Sequence, residues 1–349
     1  MKGERASKGS AGADERSRWG IEGLALGISL GGATGAAAWQ QALHWVDWAE
    51  RHGLHSVWLP EMHFAPGGST SPLLCLSAFA ARTKRLRLAT TSLLLPIHPP
   101  LRVASEVAAL DHLSQGRVLL GLGRGFRAPL FAAFGIDPAT KRDRFDAALD
   151  LILAAWRGEG SDRSETDFEA SKSEHADADR RPYQTPHPPL AVAAFGRKGL
   201  AQAARRGLPY LASPMEPFEL IRENLEYHHE RIPEPLAPGR QVVPVMRTIF
   251  VAQNEMTAAR VMAGLESETR LPRASAKLPR AIARAVNAPL AERVVVGSVA
   301  QVTDRLALYR EALGMNLLVA RPQLAGATAA EREASMDLLC GEVLPGLAN

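Results

Sequence analysis

The sequence predicts a (β/α)8 barrel, in which an inner ring of parallel strands is surrounded by helices. Eight short, mostly apolar runs recur along the chain, and each is followed by a segment with apolar residues at helical spacing. A strict alternation of strands and helices is typical of a parallel sheet, and eight such units close a barrel. Hydrophobic residues make up 46% of the 349 residues, which is enough to bury a large core.

The predicted strands are short runs rich in Leu, Val, Ile and Ala, as expected of strands that are buried on both faces of a parallel sheet. Proline marks the point where the chain leaves the sheet at Pro60 and Pro96. In chain order, the strands are predicted at Leu24–Leu30, Ser56–Leu59, Leu86–Leu95, Arg117–Gly121, Leu190–Phe195, Tyr210–Ala212, Val242–Val251 and Asn316–Ala320.

Helices are predicted where apolar residues recur at intervals of three and four, and their ends carry capping signals. Ser71 and Pro72 begin the second helix, and glycines such as Gly53 and Gly314 end others. The predicted ranges are Ala36–His52, Pro72–Thr83, Pro99–Ser114, Asp137–Gly158, Arg197–Arg206, Glu216–Arg231, a loosely patterned region at 255–290, Val299–Leu313 and Thr328–Leu344.

Two segments fall outside this alternating pattern. Residues 1–18 are small and charged, so we expect a disordered tail ahead of a single barrel domain at 19–349. Residues 159–188 are polar and charged with almost no apolar anchors, which predicts a mobile excursion over one mouth of the barrel.

Charge and cysteine content limit the expected partners and location. The chain has 41 basic and 37 acidic residues, and its few aromatic residues do not interleave with basic clusters, so we expect no nucleic-acid partner. Cys75 and Cys340 are too few and too far apart for a metal cluster or a disulfide framework. The sequence shows neither a secretion signal nor an apolar run long enough for a membrane span, so we expect a cytoplasmic protein without membrane contact.

The end of the fourth predicted strand and the residues after it combine alternate glycines with one arginine. The glycines are Gly121, Gly123 and Gly125. They let the backbone approach a ligand, and Arg124 brings a guanidinium to the carboxyl end of the strand. Phe126 stands where a dinucleotide fingerprint needs glycine, so the pattern favours a bound anion over NAD. A turn that carries a surface arginine fits the same residues.

The barrel prediction also indicates where functional residues lie. In such barrels, the active site is formed where strands lead into helices. Four predicted loops of this kind carry polar residues or glycines that suit a site. They are Glu61–Phe64, Thr90–His98, Gly121–Phe126 and Ala194–Gly199.

The chain resembles the bacterial luciferase-like family of flavin-dependent monooxygenases. The matching segments occur in the family's order between about residues 22 and 345. They are SVWLPEMHF, TTSLLLPIHPPLRVASEVAALDHLSQGRVLLGLGRG, FGIDPATKRDRFD, PHPPLAVAAF, AARRGLP and VVVGSVAQVTDRLALYREAL. The resemblance implies a TIM-type barrel, FMN as the cofactor, and a homodimer packed through the second and third helices.

The resemblance also implies which residues hold the flavin phosphate. Arg124 after the fourth strand and Arg142 at the start of the next helix match family arginines that grip this group, as forked donors suit a dianion. The loop after the fifth strand is implied to offer backbone amides to it. The implied residues of that loop are Ala194, Gly196, Arg197 and Gly199. Relatives often have serine or threonine where this chain has Gly196 and Gly199, so hydroxyl contacts to the phosphate are absent here. Arg197 or Lys198 compensates for them, or both side chains point to solvent.

A second implied group follows the second strand. Many relatives carry two adjacent histidines after a glutamate here, whereas this chain has Glu61, Met62 and His63. Methionine cannot move a proton, but an imidazole that titrates near neutrality can, so Glu61 and His63 are the implied catalytic residues. A structural imidazole at His63 and an orienting role for Glu61 are the alternatives.

Three further positions matter for the comparison with the family. Gly123 occupies the reactive-cysteine position of the luciferases, which argues against light emission. Thr91 and Ser92 match the place where relatives hold a cis peptide against the flavin ring, so we predict a cis bond there. His98, after the third strand, either faces the ligand or has a capping or solvated role.

The sequence thus leads to one main function and two alternatives. The main prediction is a flavin-dependent monooxygenase that uses reduced FMN from a separate flavin reductase, with O2, to oxidise a small organic substrate. The loss of the first histidine at Met62 keeps open a non-catalytic flavin-binding protein or partner subunit. A deazaflavin-dependent oxidoreductase on the same barrel is the third possibility.

Overall fold

A parallel sheet wrapped by helices forms the core of the protein, as a computed structural model shows. The structure describes residues 15–31, 35–64, 68–159, 180–234, 239–270 and 278–348. Within these residues, strands and helices alternate in the predicted order, so the α/β barrel prediction is confirmed.

The strands are short and mostly buried on both faces, as is usual for parallel strands under a helical layer. Hydrogen bonds place the strands in the order β6-β5-β4-β3-β2-β1-β9-β7-β8. The strands are β1 (Ala25–Ser29), β2 (Ser56–Leu59), β3 (Arg87–Leu94), β4 (Val118–Gly123), β5 (Leu190–Ala193), β6 (Tyr210–Leu211), β7 (Pro244–Val251), β8 (Val294–Gly297) and β9 (Leu317–Arg321).

The ring closes between β6 and β7. A parallel bridge pairs Ala212, just after β6, with Val245 of β7, so β1 to β7 together with β9 form a ring of eight strands. β8 lies outside that ring and pairs with the second half of β7.

The helices form the outer layer, and several of their ends are capped as the sequence indicates. Ser298 and Thr328 begin helices with capping boxes, and Gly158 and Gly314 end helices in the left-handed conformation. None of the described helices is both long and apolar enough to cross a membrane. The helices are α1 (Glu15–Trp19), α2 (Ala36–Arg51), α3 (Pro72–Arg82), α4 (Pro100–Ser114), α5 (Ala128–Ala133), α6 (Lys141–Arg157), α7 (Arg197–Arg205), α8 (Phe218–His229), α9 (Glu255–Arg270), α10 (Arg280–Asn287), α11 (Leu290–Arg293), α12 (Val299–Leu313), α13 (Ala329–Leu338) and α14 (Leu344–Ala348).

Side-chain alternation divides the core into two layers. Along β4, Leu119 belongs to the cluster inside the barrel with Trp58 and Met246, whereas Val118 and Leu120 pack under the helices. The inner cluster fills the ring, as is usual for a barrel of eight strands. A ligand therefore has to bind at an end of the ring rather than pass through it.

The amino-terminal end of the ring is closed by α1. Trp19 is fully buried and stacks on Trp58 with ring centroids 6.5 Å apart. Gln184 packs at the same end, where it donates hydrogen bonds to the carboxylate of Asp111 and the carbonyl of Val118. Of the predicted tail, residues 1–14 lie outside the described residues, and 15–18 are helical. Of the predicted excursion, residues 160–179 lie outside the described residues. Residues 180–188 lie at the amino-terminal end of the ring, opposite to the predicted site.

Two parts of the sheet differ from the sequence prediction. β4 extends two residues further than expected, so Gly123, which was predicted to follow the strand, is its last residue. β8 was not predicted, because an apolar run of four residues cannot be assigned by periodicity alone. The described residues of the loosely patterned region 255–290 are helical in α9 and α10, which agrees with the predicted helical region.

We expect Gly121→Ala to destabilise the fold, because β3 and β4 approach closely at this residue. A β-carbon on Gly121 would overlap the carbonyl oxygen of Thr90. Backbone cannot move aside as a flexible side chain can, so the free energy of unfolding should fall by about 1–3 kcal/mol, which denaturant titration would measure. Gly23→Ala is the matched control, since nothing lies within 4 Å of that position. Equal effects of the two substitutions would contradict the expectation.

Candidate active site

The carboxyl ends of β2 to β5 form one continuous sector of the rim, because these strands are neighbours in the sheet. Leu94 of β3 pairs with Gly123 of β4, the residue before Arg124. The four loops that the sequence predicts as functional all leave from this sector. They are Glu61–Phe64, Thr90–His98, Gly121–Phe126 and Ala194–Gly199.

Glu61 is the polar centre of this sector. Its side chain is fully buried, and Oε1 accepts hydrogen bonds from Nε2 of His63 at 2.7 Å and Nε2 of His98 at 2.8 Å. The backbone N–H of Leu94 donates to Oε2 at 2.8 Å. Three donors satisfy the buried carboxylate, as a buried charge requires. Met62, between Glu61 and His63, is 37% exposed.

The Thr91–Ser92 peptide is cis, as the sequence comparison predicts. The hydroxyl of Thr91 lies 2.9 Å from Sδ of Met246 inside the ring. The register with β4 shifts between Thr91 and Leu93, which makes Ser92 a bulge. A β-carbon on Gly123 would overlap the Ser92 hydroxyl. Packing between the strands therefore requires this glycine, which the sequence alone attributed to ligand approach.

Arg124 leaves the end of β4 and turns its guanidinium toward the protein. Nη2 donates to the carbonyl of Ala193 at 2.7 Å, and Nη1 donates to the carbonyl of Gly199 at 3.4 Å and to Oε1 of Gln202 at 2.9 Å. A β-carbon on Gly199 would lie 2.7 Å from Nη2, so a side chain there would displace the guanidinium from this position. Burial, and then repulsion by Arg142, lowers the pKa of Arg124 to about 10.

Arg142 and Lys141, at the start of α6, complete a cluster of cations around Arg124. Burial, and then the charges of Arg142 and Arg124, lower the pKa of Lys141, whose Nζ reaches the carbonyl of Gly125 at 3.4 Å. Asp146 offsets part of the positive charge on Arg124. We name Arg124, Lys141 and Arg142 the cation cluster. Three cations that repel one another in a partly buried place favour a bound anion.

Gln202 ties the cation cluster together, although the sequence analysis did not identify it. The residue is only 2% exposed on α7, and its Oε1 accepts from Arg124. Its Nε2 donates to the carbonyl of Arg142 at 3.0 Å and to Asp146 at 2.7 Å. In the sequence, a single glutamine on a helix looks the same whether it is buried and hydrogen-bonded or exposed on the surface.

The loop after β5 leads into α7 beside this cluster. Ala194 is buried, and a β-carbon on Gly196 would lie 3.2 Å from that of Ala281, so the loop packs against α10. The guanidinium of Arg197 stacks on Tyr227, 4.9 Å from the ring centroid. Two cavities of about 750 and 350 Å³ adjoin this contact, and Lys198 and Arg142 line the smaller one.

A second buried acid lies after β6, in a place that the sequence analysis did not identify. Glu216 is fully buried and accepts hydrogen bonds from the hydroxyl of Tyr210 at 2.6 Å, from Asn224 at 2.7 Å and from the backbone of Ser213 at 2.8 Å. Burial raises the pKa of Glu216 to about 7, although these donors and Arg247 oppose the change. Glu216 thereby connects Tyr210 of β6 with Asn224 of α8.

Comparison of the sequence with known proteins gives consistent relatives. Residues 23–316 match the sequence model of the luciferase-like monooxygenases. The chain is 34% identical over 190 residues to 4-hydroxyprotoasukamycin monooxygenase of Streptomyces nodosus subsp. asukaensis, which covers 54% of this chain and 50% of that protein. It is 25% identical over 324 residues to the oxygenase component of the flavin-dependent trigonelline monooxygenase of Acinetobacter baylyi, covering 86% and 87%. The chain spans about half the length, or less, of three curated relatives that it matches.

The fold is similar to that of several solved structures. Monooxygenase RslO1 from Streptomyces bottropensis has a TM-score of 0.73 at 25% identity, covering 92% of this chain and 99% of that chain. The oxygenating constituent of 3,6-diketocamphane monooxygenase from Pseudomonas putida, in complex with FMN, has a TM-score of 0.73 at 20% identity, covering 93% and 98%. An F420-dependent secondary alcohol dehydrogenase has a TM-score of 0.68 at 18% identity, covering 94% and 100%. The last two show a shared fold alone.

We expect Glu216 to make stability depend on pH. Its pKa is raised on folding from 4.5 to about 7, so its contribution to stability is complete below about pH 4.5 and is lost as the pH rises through 7. Glu216→Gln removes this titration. The unfolding free energy of the wild type minus that of the variant should therefore fall between about pH 4.5 and 7 and then level off, as urea titrations at fixed pH would show. A difference that does not vary with pH would contradict the assignment.

Proposed function

The chain belongs to the family of luciferase-like monooxygenases, and on this premise we propose that it is a flavin-dependent monooxygenase. In this proposal it receives reduced FMN from a separate flavin reductase and uses O2 to oxidise a small organic substrate. Reduced FMN, when bound, would supply the electrons that activate oxygen. The observation that carries the proposal is the position of the cation cluster beside the buried Glu61 and its histidines, on neighbouring strands.

The cation cluster is the proposed phosphate site. Arg124 and Arg142 are the proposed ligands, and the backbone from Gly196 to Lys198 at the start of α7 adds amide donors. The N–H of Gly199 itself donates to the carbonyl of Gly196 at 2.8 Å, so Gly199 contributes to the site through its missing side chain instead. The protein contacts of Arg124 hold its guanidinium in one orientation, so little ordering is left for the cofactor to impose. A deazaflavin that carries a phosphate would suit the same cluster, so cofactor identity has to be measured.

Glu61 and His63 are the proposed catalytic residues, next to the Thr91–Ser92 bond that is proposed to lie against the flavin ring. Glu61 orients the imidazole through Nε2, and the ring of Phe134 packs edge-on against it at 5.0 Å. The side chain of His63 keeps 12% exposure, so a proton can reach it from the mouth. These features favour an enzyme over the non-catalytic alternative that Met62 suggests.

A separate reductase and a reducing compartment complete the proposal. The described part of the chain forms one barrel, and in this proposal reduced flavin comes from another protein. The relative from Acinetobacter baylyi is itself named an oxygenase component, which supports this division. Cys75 and Cys340 are free thiols, as suits the cytoplasm that we propose.

Helices α3 and α4 support the proposed homodimer. Each buries one apolar face against the ring and exposes further apolar residues. On α3 these are Leu74, Ala78 and Ala81, and on α4 they are Leu101, Ala109 and Leu113, which lie beside the exposed Arg102–Glu106 ion pair. Leu74 is 74% exposed and Leu113 is 68% exposed. An apolar surface of this kind on neighbouring helices is typical of an interface between identical chains.

Cofactor binding tests the proposed function and its phosphate site together. Wild-type protein should bind FMN, identified by mass and absorbance after incubation with FMN, riboflavin and F420. Arg124→Ala removes charge-assisted hydrogen bonds worth about 1.5–3 kcal/mol, so the dissociation constant for FMN should rise by about 10- to 150-fold. Affinity for riboflavin, which has no phosphate, should barely change.

Two results would contradict this assignment. One is selective binding of F420 by the wild type, which would favour the deazaflavin alternative. The other is an equal loss of FMN and riboflavin affinity in Arg124→Ala, which would make Arg124 a residue that only supports the loop. Arg222→Ala serves as the control, because this arginine pairs with Glu219 and Glu226 on the surface of α8.

We expect the wild type to be a dimer that a charge on α4 dissociates. Leu113→Glu places a carboxylate in the proposed interface, where an unpaired charge is costly to bury. Light scattering at micromolar concentration should give the dimer mass for the wild type and the monomer mass for the variant. Leu308→Glu is the control, since this 39% exposed leucine lies on α12 instead. A monomeric wild type would contradict the interface.

A further inference from the structure

Glu61 holds two imidazoles on one oxygen atom, and the sequence motif accounts for only one of them. His63 follows Glu61 by two residues, whereas His98 is 37 positions away in the loop after β3. Both Nε2 atoms lie within hydrogen-bond distance of Oε1. His98 thereby gives this group the second histidine that Met62 does not supply.

The position of His98 is fixed by its own loop. Pro96 and Ile97 are buried, the backbone N–H of His98 donates to the carbonyl of Leu95 at 3.2 Å, and Arg144 donates to the carbonyl of Pro96 at 3.1 Å. The imidazole bonds to Glu61 and not to the first turn of α4, where no side chain caps the helix. Neither the capping role nor the purely solvated role fits this geometry.

The hydrogen positions follow from the chemistry of the acceptor. An ionised carboxylate only accepts hydrogen bonds, so Nε2 of each ring has to carry a proton. A neutral imidazole with this proton has Nδ1 as a free base. Within the described part of the chain, Nδ1 of neither His63 nor His98 makes a hydrogen bond. Each ring therefore presents one basic nitrogen.

We propose that His98 is a second acid–base residue of this site, paired with His63 through Glu61 so that one ring is protonated while the other is neutral. The inference rests on the proposed function. A carboxylate with two neutral imidazoles has a charge of −1, one added proton makes the group neutral, and a second would make it positive. The singly protonated group therefore offers an acid and a base together.

The proton count stays balanced during such a step. A proton that leaves a reacting group is accepted at Nδ1 of the neutral ring, and the protonated ring releases one from its own Nδ1. The side chain of His98 is 28% exposed and that of His63 is 12% exposed, so His98 exchanges its proton with water more readily. The role of His98 is thus to restore the protonation state of the group after each turnover.

A metal site is the other use of two histidines and a carboxylate. Here both Nε2 atoms face the Glu61 oxygen as donors, rather than turning lone pairs toward a shared point. Among the described residues, no cluster of metal-ligating side chains has the arrangement to hold an ion. The geometry therefore favours proton transfer.

NMR of the cofactor-free protein tests the pairing without any turnover. Nitrogen-15 shifts of the imidazoles report which nitrogen carries a proton. We expect Nε2–H on both His63 and His98, and we expect protons added in a titration to be divided between the two rings. In His98→Gln, His63 should take up the first proton alone. An Nδ1–H form of His98, or a His63 signal that is unaffected by the loss of His98, would overturn the inference.

Oxidation of reduced FMN in oxygenated buffer tests the role in the loaded protein. His98→Gln keeps an N–H donor for Glu61 but cannot accept a proton, so it should bind FMN normally and release hydrogen peroxide more slowly by a factor on the order of 10². Imidazole should rescue His98→Gly, whereas pyrazole, which has a similar size but is a much weaker base, should not. His44→Gln is the matched control, because it makes the same change in a histidine–glutamate pair, with Glu333, on the outer helices.

The outcomes separate this inference from the proposed function. A rate for His98→Gln close to that of the wild type, or equal rescue by pyrazole, would make His98 a purely positional residue and overturn the inference. If the wild type itself does not bind FMN, the proposed function fails, and the NMR result in the cofactor-free protein still confirms or refutes the pairing of the two histidines.

Discussion

The close packing of β3 against β4 is the constraint on which the site depends. Gly121 and Gly123 let the two strands approach where side chains would collide, and the bulge at Ser92 fits against the second glycine. Leu94 lies at the end of this contact, and its backbone N–H donates to Glu61 while it pairs with the residue before Arg124. One strand contact therefore fixes both the acid–base group and the cation cluster, so a change in either glycine would move both.

The site separates charge along the rim. A buried carboxylate with two imidazoles lies at the ends of β2 and β3, and three cations surround the end of β4. Each group is completed by residues distant in the sequence, such as Gln202 at the cation cluster. In the proposed function this separation orients a cofactor, because its phosphate is drawn to one group and its reacting part is left beside the other.

The departure at Met62 shows how the structure changes the interpretation of a motif. In the sequence alone, the segment after β2 has Met62 where many relatives have a histidine, which suggests a loss of acid–base catalysis. In space, Glu61 has two histidine partners, because the loop after β3 brings His98 to the same oxygen atom. A motif that counts neighbours along the chain cannot record a partner that arrives from the next strand.

The sequence by itself determined the barrel, its eight ring strands, the loops that form the rim and the cis bond at Thr91–Ser92, because periodicity, glycine and proline signals and family motifs are local. Only the tertiary structure decided the strand β8, the packing role of Gly123, the tie made by Gln202 and the place of His98. Arg124 and Gln202 are 78 positions apart, and Glu61 and His98 are 37 apart. Such contacts depend on the register of neighbouring strands and on the path of each loop, which no local pattern encodes.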